Sequence, residues 1–280
     1  MIQPDKAQIE KLLPCYTGQT PLELQFALEL QYAYNGENGF GPYDCPVYAD
    51  HAESPNILLV GTDWAYLSGD AAHDGSDSEL RDHILGQYAR LPAGRQMFLH
   101  LCSPDWEAKL EKLLNGHVKG KWVRFNYRLN RETFARHAGW REKLPAGFEM
   151  RYYYDVNARH SLGRQKFGFA LMKKDEKISE CCVVYYEKEA HDAETARVAE
   201  IGIETKKEYR RRGFAVLTCA AFIEYCLSHD LEPNWGCWDH NRGSQGLAKK
   251  LGFEEISRRP VLLLEKKVKA LFGRRRAECG

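Results

Sequence analysis

The 280-residue sequence has no excess of charge: 40 lysines and arginines stand against 39 aspartates and glutamates, for a formal net charge of +1. No global field therefore argues for a nucleic-acid partner, and any basic site must be local. Long apolar runs are also missing. The longest, Phe214 to Leu227, is interrupted by Glu224, whereas a bilayer-spanning helix takes about 20 apolar residues. The opening stretch MIQPDKAQIEKLL carries charges where a signal peptide needs an apolar core. A cytoplasmic protein without a membrane partner is expected. Cysteine is present nine times, but the number is odd and no C-x-x-C occurs. That fits neither a disulfide framework nor a zinc site, and reduced, mostly buried thiols are expected. Repeats with a period of 20–50 residues, a Walker P-loop and G-x-G-x-x-G are all absent.

What is present is an ordinary globular composition, 28% charged and 44% hydrophobic, at a length that suggests two domains. Thr20-Pro21-Leu22-Glu23 combines a cap, a proline at the first helical position and a capping box, predicting a helix to about Tyr34. Asn56–Gly61 reads as a short strand. Leu80, Ile84, Tyr88 and Leu91 recur at helical spacing, and Arg95–Leu101 reads as a strand. A helix starts after Ser103-Pro104 and ends at Asn115-Gly116. Lys121–Leu129 reads as a strand, and Asn130 caps a short helix ending at Gly139. This alternation predicts an N-terminal α/β domain over residues 1–140. Arg141–Phe148 marks the boundary. Beyond it come a strand at 148–156, a hairpin turning at Lys173–Lys177, a strand ending AEIGIET, a helix from Phe214 to about His229, the strand PNWGCW, a short helix SQGLAKKLG and a last strand PVLLLEKK. The GRRR near the C-terminus reads as a solvated tail.

The stretch EYRRRGFAVL, Glu208 to Leu217, stands out. Lysines and arginines crowd the junction between a strand and an apolar helix. The first turn of a helix leaves N–H groups unpaired and carries partial positive charge. Gly213 and the small Ala215 let backbone approach a ligand, so the junction suits a pyrophosphate as well as it suits a solvated basic loop.

Arg210–Ala215 reads R-x-x-G-x-A, and one helix and one strand later comes DHNRGSQGLAKKLGF, in which Asn241 opens a short helix ending in Leu251-Gly252-Phe253. The two motifs in this order resemble the GNAT acyltransferase superfamily over roughly Phe148 to Lys267. The whole chain resembles its two-domain bacterial members, which include zwittermicin-resistance-like antibiotic self-resistance acetyltransferases. The resemblance implies an α+β protein. Its C-terminal GNAT domain, residues 141–280, would have a mixed, splayed sheet flanked by helices and would use acetyl-CoA to acylate a primary amine of a small molecule. It also implies that Arg210, Arg211, Arg212, Gly213, Phe214 and Ala215 surround the pyrophosphate. Backbone of Ile203 and Thr205 would pair with the pantetheine arm, with Asn241 and Ser244 reaching the cofactor.

Acyl transfer needs a placed amine, a base for its proton and a donor for the oxyanion. Glu200 and Glu204 lie at i and i+4 of one strand and share a face. In the resembled family a glutamate of this strand often serves as base, which makes Glu200 the first candidate and Glu204 the second. An edge carboxylate in a surface ion pair is the alternative for each. Many members carry a tyrosine as general acid where this chain has Ala248; Tyr185 and Tyr186 are the substitutes at hand. That departure leaves a non-catalytic acyl-CoA-binding or sensing module as the rival reading, with a basic-loop binder of polyanions behind it. Cys237 with His240 is too small a set for zinc, and His51, His73 and His100 have no ligand-spaced partners. The Trp and Tyr residues of the first half read as core or as the lining of an acceptor pocket.

Overall fold

The computed structural model describes residues 1–16, 26–27, 29–31, 33–34, 46–155, 166–186 and 198–265. Among them runs one eleven-stranded mixed sheet. Its strands are β1 (Val47–Ala49), β2 (Ile57–Val60), β3 (Trp64–Gly69), β4 (Gln96–Leu101), β5 (Val118–Leu129), β6 (Phe148–Asp155), β7 (Lys166–Lys173), β8 (Glu176–Tyr186), β9 (Val198–Thr205), β10 (Glu232–Trp238) and β11 (Phe253–Glu265). The helices are α1 (Lys6–Leu12), the helical residues 26–27, 29–31 and 33–34 (α2), α3 (Asp77–Arg90), α4 (Asp105–Leu113), α5 (Arg131–Phe134), α6 (Phe214–Ser228) and α7 (Arg242–Lys250).

Local chemistry explains most element ends. Asn130 accepts a hydrogen bond from Thr133 N–H and caps α5, which is one turn long and passes into 3₁₀ turns before Gly139. Asn241 caps α7 in the same way, accepting from Ser244 N–H at 3.1 Å. The hairpin between β7 and β8 turns at Lys174, whose φ is 54°. Glu224, the one charge inside the apolar α6, accepts from Arg141 Nη1 at 2.8 Å and from Trp140 Nε1, so the charge anchors the segment ahead of β6. The Thr20-Pro21 helix start lies outside the described residues.

The sheet order is β1-β2-β3-β4-β11-β5-β10-β9-β8-β7-β6. Read from its centre, between β11 and β5, it repeats. Strand–helix–strand–helix–strand β3-α3-β4-α4-β5 on one side matches β9-α6-β10-α7-β11 on the other, with β3–β4 and β9–β10 both parallel. Each unit's last strand is exchanged. β5 lies between β10 and β11, and β11 lies between β4 and β5. The chain thus repeats itself in topology over half its length, and one sheet passes through both halves.

One face of the sheet is covered along its length. The helices α3 and α4 pack with Met97, Leu99, Leu262 and Leu264. The apolar α6 and the buried side of α7 pack with Tyr127, Leu129, Ala199, Ile201, Trp235 and Phe253. On the other face, α1 and α2 cover Leu58, Val60 and Tyr66 at the N-terminal end. The centre of that second face holds the polar and aromatic side chains described next.

Candidate active site

Strands β9 and β10 pair only at Val198–Glu232, Ala199–Pro233 and Glu200–Asn234. Past that point β10 follows β5, from Asn234 opposite Arg128 to Trp238 opposite Arg124. β9 continues beside β8 to Thr205. The sheet therefore splays, and the edge of Ile201–Thr205 facing β10 has no strand partner among the described residues. The parallel pair in the N-terminal half behaves differently. β3 and β4 stay joined from Trp64–Phe98 to Leu67–Leu101, and Cys102 N–H bonds to Leu67 C=O at 2.9 Å. Helix α3, which follows β3, carries Asp77 and Glu79 in its first turn, a charge that opposes phosphate. Among the described residues, the repeated topology opens as a cleft between β9 and β10 and stays joined between β3 and β4.

Glu200 sits at the apex of the splay and is 8% exposed. Its Oε2 accepts from Asn234 Nδ2 at 2.5 Å, and its Oε1 lies 3.3 Å from Arg124 Nη2. Burial pushes its carboxyl above the ordinary glutamate range; Arg124, Asn234 and the Gly236 N–H oppose that push without cancelling it. Gly236 makes the room. A Cβ there would stand 2.8 Å from both Arg124 Nη2 and Glu200 Oε1. Glu204 shares the face but lies roughly 13 Å farther along the strand. It is exposed, opposite Glu180. The two glutamates therefore do not converge on one reacting atom.

At the mouth of the cleft the basic loop has a fixed shape. Lys206 Nζ donates to Glu176 at 2.6 Å and Tyr209 OH to the same carboxylate at 3.1 Å. Arg210 Nε donates to Thr205 C=O at 2.9 Å, so this carbonyl is engaged within the protein. The Arg212 guanidinium lies 5.6 Å from the Tyr209 ring and 5.2 Å from that of Phe214. Arg211 and Gly213 both adopt left-handed φ, 64° and 84°. Two such turns aim successive N–H groups to one side. Among the described residues no acceptor meets the N–H groups of Arg211 to Ala215. A cavity of about 340 Å³ opens beside Arg212, Gly213, Val216 and Ala220, closed by Trp140 and Lys250.

Across the cleft, Asn241 Oδ1 is committed to its own helix and Ser244 Oγ accepts from Trp235 Nε1 at 3.1 Å. Ile203 points into the helix-covered core, leaving only its backbone toward the opening. Ala248 is fully buried against the core and offers no group to the cleft. The side chains of Tyr185 and Tyr186 lie outside the described residues. Cys181, Cys219, Cys226 and Cys237 are buried and unbridged, while Cys15 is exposed. Among the described residues no three His, Cys, Asp or Glu side chains gather as a metal site, and no helix is long and apolar enough to cross a membrane.

Three residues of the site escaped the sequence reading. Arg124 lies in the segment assigned to the other half, and nothing local connects it with Glu200, 76 positions away. Asn234 and Gly236 fall within PNWGCW, where strict alternation of polar or small residues with Pro233, Trp235 and Cys237 was the available signal.

Residues 152–261 match the family model described as GNAT acetyltransferase. The uncharacterized N-acetyltransferase YdfB of Bacillus subtilis (strain 168) is 25% identical over 231 residues, covering 75% of this chain and 82% of that protein. A GCN5-related N-acetyltransferase-like protein from Streptococcus suis 89/1591 has the same fold, with a TM-score of 0.60 and 19% identity over 92% of this chain and 98% of that one. A tandem GNAT protein from the clavulanic acid biosynthesis pathway gives a TM-score of 0.58 at 11% identity, over 94% and 96% of the respective chains. Over residues 152–261 the chain is thus similar to GNAT acetyltransferases, and as a whole it shares the fold of these solved structures.

Proposed function

We propose that the protein transfers the acetyl group of acetyl-CoA to a primary amine of a small molecule, the chemistry of the zwittermicin-resistance-like proteins it resembles. The observation that carries this reading is the alignment of three features along one line. These are the free N–H groups from Arg211 to Ala215, the unpaired edge of β9, and the buried carboxylate of Glu200 at the apex. The anionic pyrophosphate suits the left-handed turns at the start of α6. The pantetheine arm suits a strand edge that lacks a partner, at the backbone of Ile203 and Thr205, with Asn241 and Ser244 on the opposite wall. The Thr205 carbonyl is held by Arg210, so this edge would use its remaining groups.

Glu200 then stands where an amine meets the thioester. With its carboxyl raised by burial, against the opposing pull of Arg124 and Asn234, it suits accepting a proton better than an ordinary glutamate does. Glu204, exposed near the mouth, suits a charge at the entrance rather than the reacting atoms. Residues 141–280 would hold the cofactor, and residues 1–140 would supply Arg124 and the acceptor side.

Calorimetric titration with acetyl-CoA, beside the Gly213→Glu variant, tests the reading. Binding by the native chain that Gly213→Glu loses supports it. A folded native chain that binds no acetyl-CoA at millimolar concentration overturns it.

A further inference from the structure

Beyond Glu200, the same sheet face carries a continuous belt of aromatic rings. It comes from four strands distant in sequence: Trp64 of β3, Phe98 and His100 of β4, Trp122 of β5 and Trp238 of β10. Register puts them on one side. Trp238 stands opposite Arg124, Arg124 opposite Arg259, Trp122 opposite Val261, and Val261 opposite His100. Ring centroids are 5.1 Å apart for Trp122–Trp238, 5.3 Å for Phe98–Trp122, 5.2 Å for Trp64–Phe98 and 5.7 Å for Trp64–Trp238. All four of these large rings remain partly exposed. A contiguous patch of partly exposed rings marks a candidate binding surface.

Beneath them lies His100, 1% exposed, stacked on Tyr66 at 4.6 Å and set 4.6 Å from Trp64. Neither of its ring nitrogens has a hydrogen-bond partner among the described residues. Burial, reinforced by Arg259 and Arg124, keeps it neutral. His100 therefore adds no charge to the floor, where the one buried cation among the described residues is Arg259, its guanidinium 5.5 Å from the Tyr66 ring. The end of the belt toward the cleft is polar: the Arg124 guanidinium covers the Trp238 ring at 5.3 Å and reaches Glu200. An acceptor lying along the belt meets flat apolar surface over its body and a carboxylate at its amine end. The two arginines of this face disfavour an acceptor with several positive charges.

We propose that the acceptor is an arylalkylamine, a single primary amine on an aromatic body, with the body on this belt and the nitrogen at Glu200. The proposal rests on the acetyl-transfer reading for its chemistry. The amine nitrogen attacks the thioester carbon, a C–N bond forms and the C–S bond breaks. The nitrogen's proton passes to Glu200, CoA departs as the thiolate and takes up a proton from solvent, and Glu200 returns its own proton to solvent. No group beyond acetyl-CoA and the amine is consumed.

The test compares phenethylamine and tryptamine with hexylamine and spermidine, reading CoA release in the full-length protein. Phenethylamine binding is also followed through quenching or shift of tryptophan fluorescence, a readout that needs no turnover. Arylalkylamines are expected to show kcat/KM at least about tenfold above hexylamine, with spermidine lowest. Trp122→Ala is expected to raise KM for phenethylamine about tenfold, the scale of one aromatic contact with its buried area. Acetyl-CoA affinity should stay at the native value, and Trp122→Phe should restore most of the loss. A preference for hexylamine or spermidine overturns the proposal, as does an unchanged KM in Trp122→Ala. Acetyl-CoA binding with no turnover and no binding of either arylalkylamine overturns it too. If acetyl-CoA does not bind while phenethylamine does, the acetyl-transfer reading fails and the belt stands as an aryl-amine site.

Discussion

Gly236 offers the sharpest test of the site, because its φ needs no glycine and only the space above it does. An alanine Cβ would sit 2.8 Å from Arg124 Nη2, 2.8 Å from Glu200 Oε1 and 3.1 Å from Arg124 Nε. Ordinary contact begins near 3.4 Å, so the ion pair must open by several tenths of an ångström. The β10 backbone cannot retreat easily, being registered against β5 on one side and against β9 up to Asn234. Overpacking of this kind costs about 1–3 kcal/mol. Replacing glycine by alanine in a strand returns about 0.5–1 kcal/mol. Stability should therefore fall by at most about 2.5 kcal/mol, several degrees in Tm. Activity should fall further. A positioned base is worth about 10²–10⁴ in rate, and a displaced carboxylate should forfeit at least about tenfold of it. Thermal unfolding and steady-state acetyl transfer, measured on the same preparation, separate the two effects. A folded Gly236→Ala protein with native kcat/KM would refute both the packing argument and the role of Glu200.

Glu200→Gln should lower kcat/KM by about 10²-fold or more and remove the acidic limb of the pH–rate profile. In the native protein that limb should lie above the ordinary glutamate range, because burial raises the carboxyl. The same shift has a stability sign. The folded state holds this proton more tightly than the unfolded one, so the group's contribution is lost as pH rises from the unfolded value through the folded one. Glu200→Gln should flatten that slope in denaturant titrations; a slope unchanged from native would contradict it. Ala248→Tyr should not supply a general acid, since the position is fully buried. Melting and turnover should show a loss of about 1–3 kcal/mol from overpacking and no gain in kcat.

Much of the fold was legible because apolar periodicity and caps act locally. Leu80, Ile84 and Tyr88 marked α3, Asn130 and Asn241 marked the starts of α5 and α7, and the apolar stretch from Phe214 marked α6. β1 and β3 escaped, since Val47–Ala49 and Trp64–Gly69 are short and lack clear alternation. The loop at the start of α6 was legible from Gly213 and its arginines, but not the left-handed φ of Arg211. Glu200 was singled out, while its partner Arg124 was not. A contact between β5 and β9 depends on strand order, and strand order here is set by the exchange of β5 and β11. No local pattern encodes that exchange.

The exchange also decides how the two halves depend on each other. Removing residues 1–140 would take β5 from between β10 and β11, leaving two long strand edges unpaired. It would strip Tyr127, Leu129, Phe134 and Trp140 from the C-terminal core. Glu200 would lose Arg124, and a buried carboxylate without its partner is strongly unfavourable. Residues 141–280 alone should therefore fail to give a monomer with a cooperative melting transition, although nearly all of the proposed cofactor cleft lies within them. Residues 1–140 alone would lack β11 between β4 and β5 and should fail likewise. Co-expressed, the two pieces should associate and regain acetyl-CoA binding, since each supplies the strand the other lacks. Gel filtration, near-ultraviolet circular dichroism and calorimetry on the separate and combined pieces would show this. A monomeric, cooperatively folding 141–280 fragment that binds acetyl-CoA would mean that the exchanged strand is dispensable and that the site belongs to the C-terminal half alone.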